Sequence, residues 1–211
     1  MLTFYYSPGA CSLVSHIALE EAGAEYEGAR LNLAQGDQHG EEFLRVNPHA
    51  RVPALVTGQG TITENIAILN WIGDTYGAEG SVPVGDPLER ARVNQLLGWF
   101  ASTVHISFAQ LFRPGRFSPD DEIHAAIQEG GRAALTSHFN ELDDLCGAGW
   151  LAGDAFTAAD SYAAVFYRWA VRAKFDMSVY PRWSSLVGRV IERPAVARAL
   201  EQEGLKPAEF D

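Results

Sequence analysis

The periodicity of apolar residues changes near residue 77, and this change constrains the fold more than any other feature of the 211-residue chain. Before it, short runs of β-forming residues alternate with stretches in which apolar residues recur every three or four positions. The segment 77–87 then holds three glycines and two prolines, which is typical of a linker. Beyond it only the helical spacing recurs. We therefore predict a domain of residues 1–77, a linker of 78–86 and an all-helical domain of 87–211.

The first domain is predicted to be an α/β unit with the order β-α-β followed by β-β-α. The predicted elements are a strand at 2–6, a helix at 11–22, a strand at 26–33, a hairpin at 52–57 and 61–63, and a helix at 64–76. Thr63 is a residue type that favours the N-cap position, so we expect it to cap the last of these helices.

The second domain is predicted to contain helices only. The predicted helices lie at 88–112 and 119–146, from 157 onward, and at 181–193 and 194–203. Thr157 followed by Asp160 resembles a capping box. Pro181 and Pro194 suit the first turn of the two shorter helices.

Composition and charge restrict the class of function. The chain has 16 basic against 27 acidic side chains, a formal net charge of −11, which repels phosphate backbones, so we expect no nucleic-acid partner. The longest apolar stretch is about six residues, against roughly 18 for a membrane span, so we expect no membrane association. The start of the chain lacks the basic region of a signal peptide. Two cysteines form no disulfide framework, and we expect a cytoplasmic protein.

Cys11 is the first candidate for chemistry. It follows a strand and a Pro-Gly turn and opens a helix, where unpaired backbone N–H groups and the helix dipole stabilise a thiolate. Thiol pKa values at such positions fall to about 3.5–7.5. The alternative is a small buried apolar side chain. Cys146 lies on the apolar stripe of a helix, and we expect it in the core.

The neighbours of Cys11 restrict its mechanism. Val14 occupies the place of the second cysteine of a Cys-x-x-Cys redox centre. A lone activated thiol attacks a substrate directly or forms a mixed disulfide with a small thiol. Tyr6 and Ser12 could each donate an O–H to a nearby sulfur. The alternatives are a strand-end aromatic residue and an ordinary helix-start residue.

Two further segments suit a peptide-like ligand. A cis bond between Val52 and Pro53, at the start of a strand, would leave the Val52 N–H and C=O unpaired. Glu64 and Asn65 open a helix whose N–H groups suit a carboxylate, and the Glu64 side chain suits an ammonium group. An α-amino acid head group would satisfy both features. The alternative for Glu64 is an acid that only complements the helix dipole.

The order of these motifs carries a resemblance to a known family. The motifs are Tyr-Ser-Pro-Gly-Ala-Cys-Ser at 6–12, Asn-Pro-x-x-x-Val-Pro at 47–53, Thr-Glu-Asn-x-Ala-Ile at 63–68 and Phe-Thr-x-Ala-Asp at 156–160. Together they resemble a cytosolic glutathione transferase over essentially the whole chain. The Cys-Ser pair and Trp-Phe-Ala-Ser-x-Val-His at 99–105 are similar to the bacterial beta class. The resemblance implies a thioredoxin-like domain before an all-α domain, in a homodimer.

The resemblance also implies a glutathione site. The implied binding residues are His39, Arg51, Val52, Pro53, Glu64 and Asn65. The implied catalytic residues are Tyr6, Cys11, Ser12 and His105. Val52 would pair with the cysteinyl backbone of glutathione, and Glu64 and Asn65 would hold its γ-glutamyl head. Cys11 and His105 would both reach the glutathione sulfur, and Cys11 could form a mixed disulfide with it.

Some positions depart from the family pattern. Asn65 stands where serine or glycine is usual, and Ile106 where some relatives carry lysine. The loop 34–40 has no basic residue for the glycine carboxylate, which leaves His39 and two glutamines of that loop as weak substitutes.

The resemblance implies an enzyme that conjugates or exchanges glutathione with small hydrophobic electrophiles or disulfides, with glutathione as co-substrate and no metal. The electrophile would enter a cleft that faces residues 111–112 and the helix around Tyr167. One alternative is a binding or regulatory protein of the same fold without turnover. Another is a glutathione-dependent lyase, isomerase or dehalogenase.

Overall fold

The computed structural model describes residues 1–210, and its first part is a mixed four-stranded sheet flanked by helices. The strands are β1 (Leu2–Tyr6), β2 (Tyr26–Arg30), β3 (Ala54–Thr57) and β4 (Gly60–Thr63). Their order across the sheet is β2-β1-β3-β4; β1 pairs with β2 in parallel, and the other pairs are antiparallel. The accompanying helices are α1 (Ser12–Glu21), α2 (Glu41–Val46) and α3 (Asn65–Tyr76). The predicted thioredoxin-like arrangement is confirmed.

Two local details of this part differ from the prediction. Helix α2 was not predicted, because it has six residues of which only Phe43 is buried, so its apolar pattern is too short to detect. The prediction that Thr63 caps α3 is wrong. Thr63 is still paired with Ala54 as the last residue of β4, and the cap is Glu64, with φ 69° and no side-chain capping bond.

The second part contains helices and no strand within residues 78–210, apart from one isolated β-bridge between Trp150 and Gly153. Its helices are α4 (Pro87–Trp99), α5 (His105–Phe112), α6 (His124–Leu145), α7 (Ala158–Arg172), α8 (Pro181–Ile191) and α9 (Pro194–Glu203). The predicted helix at 88–112 is continuous but contains a π-helical segment, Phe100–Val104, between α4 and α5. Such segments are frequent at functional sites. Helix α6 begins later than predicted, because a 3₁₀ turn at Asp121–Ile123 precedes it.

The helix ends confirm the capping predictions in this part. The Asp160 carboxylate accepts a hydrogen bond from the Thr157 N–H at 2.9 Å, and the Thr157 hydroxyl accepts one from the Ala159 N–H at 3.3 Å. This reciprocal pair is the predicted capping box. Helices α8 and α9 begin at Pro181 and Pro194, as predicted.

One hydrophobic core runs through both parts. It extends from Phe4 and Leu13, at β1 and α1, to Phe166 and Trp183, at α7 and α8. Helix α7 is central, since its residues from Ala158 to Ala170 are all buried. Cys146 is 2% exposed, which confirms its predicted place in the core. Within residues 1–210, no helix is long and apolar enough to cross a membrane.

Candidate active site

A cavity of about 540 Å³ lies where the sheet meets α5 and α7. One wall comes from the loop after β1 and from the chain just before β3, and the other from one face of α5. Its lining includes Ser7, Pro8, Gly9, Ala10, Cys11, Arg51, Val52, His105, Phe108, Ala109, Phe112 and Trp169. The sequence-predicted residues Cys11, Arg51, Val52 and His105 therefore meet at one cavity.

The loop that carries Cys11 is fixed by residues of the helical part. The Gly9 N–H donates to the Glu203 carboxylate at 2.7 Å. The Gly9 carbonyl accepts hydrogen bonds from the Trp169 indole at 2.8 Å and from Arg168 at 3.3 Å. Gly9 has φ 65°, and a Cβ there would overlap the Arg168 guanidinium, so only glycine fits this position. Cys11 is thereby held by contacts far away in the sequence.

Cys11 is the N-cap residue of α1, and the residue is half-buried at the cavity. Burial raises the pKa of its thiol to about 11, while the backbone N–H groups at the start of the helix and the charge of Arg113 lower it only in part. The S–H donates to the Val52 carbonyl at 3.5 Å. The predicted lowering of the Cys11 pKa is therefore wrong, because the cost of desolvating the thiolate exceeds the stabilisation by the helix N-terminus.

Tyr6 and Ser12 do not line the cavity. The Tyr6 ring is 7% exposed and lies 5.9 Å from the Phe4 ring and 4.9 Å from the His16 ring, between centroids. The Ser12 hydroxyl donates to the Ser7 carbonyl and accepts from the Ser7 N–H, both at 3.2 Å. Both side chains are thus engaged in holding β1 and the loop that follows it.

Val52 presents a free backbone donor to the cavity. The Val52–Pro53 peptide bond is cis, as predicted. No acceptor within residues 1–210 receives the Val52 N–H. The prediction that the Val52 carbonyl is also free is wrong, since it accepts the Cys11 thiol proton. Next to it, Arg51 lines the cavity, while its carbonyl accepts a hydrogen bond from Asn47 at 2.6 Å.

Glu64 and Asn65 lie at the start of α3, outside the cavity lining. The Asn65 side chain is buried; its oxygen accepts from Ser15 at 2.6 Å and its amide donates to the Cys11 carbonyl at 2.9 Å. Asn65 therefore ties α3 to α1. Glu64 is exposed and has φ 69°, a conformation that non-glycine residues adopt mainly at functional sites.

His39 is exposed and does not line the cavity, whereas its neighbour Gln38 does. The Gln38 side-chain oxygen is buried and has no hydrogen-bond donor within residues 1–210. A buried acceptor of this kind is rare and suits a donor supplied by a ligand. Of the weak substitutes expected in this loop, Gln38 lines the cavity and His39 does not, but the unpaired Gln38 oxygen suits an N–H group of the ligand and not the glycine carboxylate.

His105 opens α5 and faces the cavity as a neutral imidazole. Its Nδ1 lies 3.4 Å from the Tyr162 hydroxyl, and its ring centroid lies 5.1 Å from that of Trp169. Burial and, after it, the charges of nearby arginines lower the pKa of His105 to about 4. At pH 7 this side chain offers a hydrogen bond and not a positive charge.

The positive charge of the cavity comes from arginines, of which only Arg51 is a sequence-predicted site residue. The arginines that line the cavity are Arg30, Arg51, Arg113, Arg116 and Arg172, and no acidic side chain lines it. These arginines come from elements far apart in the sequence, so no run of basic residues predicts a positively charged site. The one local signal is Arg-Pro-Gly-Arg at 113–116, directly after the cavity face of α5. In the described part of the chain, no cluster of histidine, cysteine, aspartate or glutamate side chains could hold a metal ion.

Comparisons with known proteins agree on one family. Residues 1–74 match the family model described as the glutathione S-transferase N-terminal domain, and residues 125–189 match its C-terminal domain. A curated relative, glutathione S-transferase GST-4.5 of Xanthomonas campestris pv. campestris, is 34% identical over 97% of this chain and 100% of its own length.

Solved structures give the same result. A sphingomonad glutathione S-transferase in complex with glutathione is 39% identical, covers 97% of this chain and 100% of its own, and has a TM-score of 0.84. The bacterial beta class glutathione S-transferase of Sphingomonas chungbukensis is 38% identical, with the same coverage of both chains and the same TM-score.

Proposed function

The chain belongs to the glutathione S-transferase family, and we propose that its cavity binds glutathione along Val52 and transfers it to small electrophiles. The observation that carries this proposal is the meeting of Cys11, Val52 and His105 at one cavity. The free Val52 N–H suits the backbone carbonyl of a peptide, and the buried Gln38 oxygen suits a second donor. Residues 1–77 would bind glutathione, and 87–211 would contribute the pocket for the electrophile.

The charge of the cavity supports activation of the glutathione thiol. Thiolates, not thiols, attack electrophiles, and nearby positive charge lowers the pKa of a thiol. At Cys11, besides burial, the Glu64 charge raises the thiol pKa and the Arg113 charge lowers it by less, so activation requires that the α-amino group of glutathione neutralise Glu64. A glutathione sulfur placed between Cys11 and His105 would be less buried than the Cys11 thiol and would feel the same arginine charge. We place Glu64, at the start of α3, against the α-amino group of glutathione.

Cys11 offers a second reaction at the same place, thiol–disulfide exchange. The Cys11 thiolate would attack a mixed disulfide of glutathione; the new S–S bond joins Cys11 to glutathione, and the other thiol leaves with the electron pair. A second glutathione thiolate would then release glutathione disulfide and restore Cys11. Since the pKa of the Cys11 thiol is about 11, we propose exchange as the slower reaction at pH 7 and conjugation as the main one.

The variant Cys11→Ala separates the two reactions. We expect it to keep glutathione binding and conjugation within a few-fold of wild type and to lose disulfide reduction by more than tenfold. Cys146→Ala, at a buried core cysteine outside the cavity, is the matched control for loss of a thiol. Unchanged disulfide reduction in Cys11→Ala would remove Cys11 from the mechanism. Absence of glutathione binding in calorimetry at millimolar concentration would overturn the whole proposal.

We further propose that the protein acts as a cytoplasmic homodimer. Support comes from its membership of the glutathione S-transferase family. Light scattering should then give a solution mass of twice the 23.0 kDa of one chain. A mass of one chain at micromolar concentration would contradict the dimer and leave the proposed reaction untouched.

A further inference from the structure

We propose that the electrophile carries an anionic group, a carboxylate or a similar oxyanion, which pairs with Arg113 and Arg116 while its apolar body lies on the aromatic face of α5. This inference rests on the proposed function and names the class of its second substrate.

The first observation is the contrast between these arginines and the others. Of the nine arginines that do not line the cavity, six form ion pairs with acidic side chains; these are Arg45, Arg90, Arg168, Arg182, Arg193 and Arg198. Two of the other three, Arg132 and Arg189, donate to backbone carbonyls instead. Within residues 1–210, the arginines that line the cavity form none, although the chain has 27 acidic residues. Arg172 has Glu209 near enough to lower the pKa of that carboxyl, but no acidic charge balances Arg113 and Arg116 in the cavity.

The second observation is the geometry of this pair. Arg113 and Arg116 are three residues apart around a 3₁₀ turn, Pro114–Arg116, in which the Arg116 N–H donates to the Arg113 carbonyl at 3.0 Å. Arg113 directly precedes this turn and Arg116 ends it, and both side chains line the same cavity, so two like charges lie near each other. Burial and the charges of Arg113 and Arg51 lower the pKa of Arg116. A bound anion removes this repulsion.

The third observation is the apolar surface that leads to the pair. His105, Phe108, Ala109 and Phe112 line the cavity from one face of α5. The Phe108 and Phe112 rings are stacked with centroids 5.8 Å apart, and Phe112 is 48% exposed. An exposed aromatic ring beside two guanidinium groups suits a ligand with a flat apolar body and an anionic end.

In the proposed binding mode, glutathione does not contact Arg113 or Arg116. It lies along Val52, on the wall formed by the first 77 residues, where Arg30 and Arg51 are available to its glycine carboxylate. Arg113 and Arg116 follow α5 on the helical wall, where the second substrate would bind. They are therefore available to an anion other than glutathione.

The test compares 4-chloro-3,5-dinitrobenzoate with its methyl ester, which has the same ring and leaving group without the negative charge. In both, the glutathione sulfur bonds to the ring carbon, the C–Cl bond breaks, chloride leaves with the electron pair and the thiol proton goes to solvent. We measure kcat/KM at saturating glutathione and divide it by the uncatalysed rate constant. Wild type should prefer the acid by tenfold or more.

The variant Arg116→Gln should lower kcat/KM for the acid by about tenfold, which is about 1.4 kcal/mol. The ester should stay within twofold. Arg45→Gln is the matched control, because the Arg45 side chain is 75% exposed, pairs with Glu41 and lies outside the cavity lining. This variant should leave kcat/KM unchanged for both the acid and the ester. Equal losses for acid and ester, with a higher KM for glutathione, would show that Arg116 binds glutathione and would overturn the inference.

A binding measurement keeps the inference testable if neither compound reacts, which would count against the proposed function alone. Calorimetry with unreactive 3,5-dinitrobenzoate and its methyl ester, at saturating glutathione, measures the anion site directly. Tighter binding of the acid in wild type, lost in Arg116→Gln, supports the inference. Equal binding of acid and ester in wild type overturns it.

Discussion

The loop at Gly9 and the turn at Arg113 and Arg116 face the same cavity. The polar groups of the loop are paired with protein partners, whereas the guanidinium groups of the turn have no acidic partner within residues 1–210. At Gly9, the N–H and the carbonyl are both paired with buried side chains, among them Glu203 and Trp169. At the turn, the guanidinium groups are exposed and have no acidic partner within residues 1–210. Around Gly9, the cavity wall has its polar groups paired within the fold, and the wall at the turn has charge left over for a ligand.

The difference follows from burial. A buried polar group that lacks a partner costs roughly 1–3 kcal/mol, so the Gly9 loop is ordered only because the helical part supplies partners. An exposed guanidinium is hydrated and needs none. The wall around Gly9 can therefore hold Cys11 in a fixed position. At the turn, Arg113 and Arg116 can exchange their bound water for an anion. Substitutions on the two walls should then have very different effects on stability.

The largest effect is expected from Glu203→Ala. It would leave the Gly9 N–H and His16 without their shared carboxylate, at a site where Glu203 is 2% exposed. A buried polar group left without its hydrogen-bond partner costs roughly 1–3 kcal/mol, and this substitution leaves two such groups. Urea denaturation should show a loss of this size. Glu201→Ala, at an exposed position of the same helix, is the control and should change the free energy of unfolding by less than about 0.5 kcal/mol. An equally small effect of Glu203→Ala would refute the description of this wall.

A second effect should come from His105, which lies between the two walls. Its pKa is about 4 in the folded protein, against an ordinary value of 6.5, so the unfolded chain binds a proton more readily. The contribution of neutral His105 to stability is complete above pH 6.5 and is lost as the pH falls towards 4, by up to about 1.4 kcal/mol per pH unit. The difference in the free energy of unfolding between wild type and His105→Gln, measured by denaturation from pH 4 to 6.5, should give the contribution of His105. A ring titration by NMR with a midpoint near 6.5 would contradict this prediction.

The smallest effect on stability is expected from Arg116→Gln. The sign of the change in the free energy of unfolding should distinguish the two walls of the cavity. Removal of one of two like charges should leave the free energy of unfolding unchanged or raise it by about 0.2–0.5 kcal/mol. Arg168→Gln is the matched substitution on the other wall, where the guanidinium is buried and bonds Glu209 and the Gly9 carbonyl. It should cost about 3 kcal/mol or more. If both substitutions destabilise the protein equally in urea denaturation, the two walls do not differ as described.

Much of the fold was predictable because it depends on local patterns. The strand at 2–6, the capping box at Thr157 and the two helices that begin at prolines are all set by nearby residues. Helix α2 was missed because a single buried residue makes no periodicity. The N-cap of α3 was misplaced because strand pairing, a contact across the sheet, keeps Thr63 extended.

The candidate site was predictable only in part. Cys11, Val52 and His105 reach the cavity as the motifs implied, but Ser12 and Asn65 bond other parts of the fold. Their hydroxyl and amide groups fit a ligand as well as they fit a neighbouring backbone. Sequence cannot choose between these partners, because the choice depends on which group the fold brings within hydrogen-bond distance.

The sequence by itself determined the order of strands and helices, the family, and the position of Cys11 at the start of a helix. The tertiary structure alone decided that burial raises the pKa of this thiol and that arginines from both parts of the chain line its cavity. Helix starts and turns arise from neighbouring residues, so they can be read in order along the chain. The pKa of a buried group depends on desolvation and on charges a few ångströms away, and folding brings such charges together from positions as distant as Arg30 and Arg172.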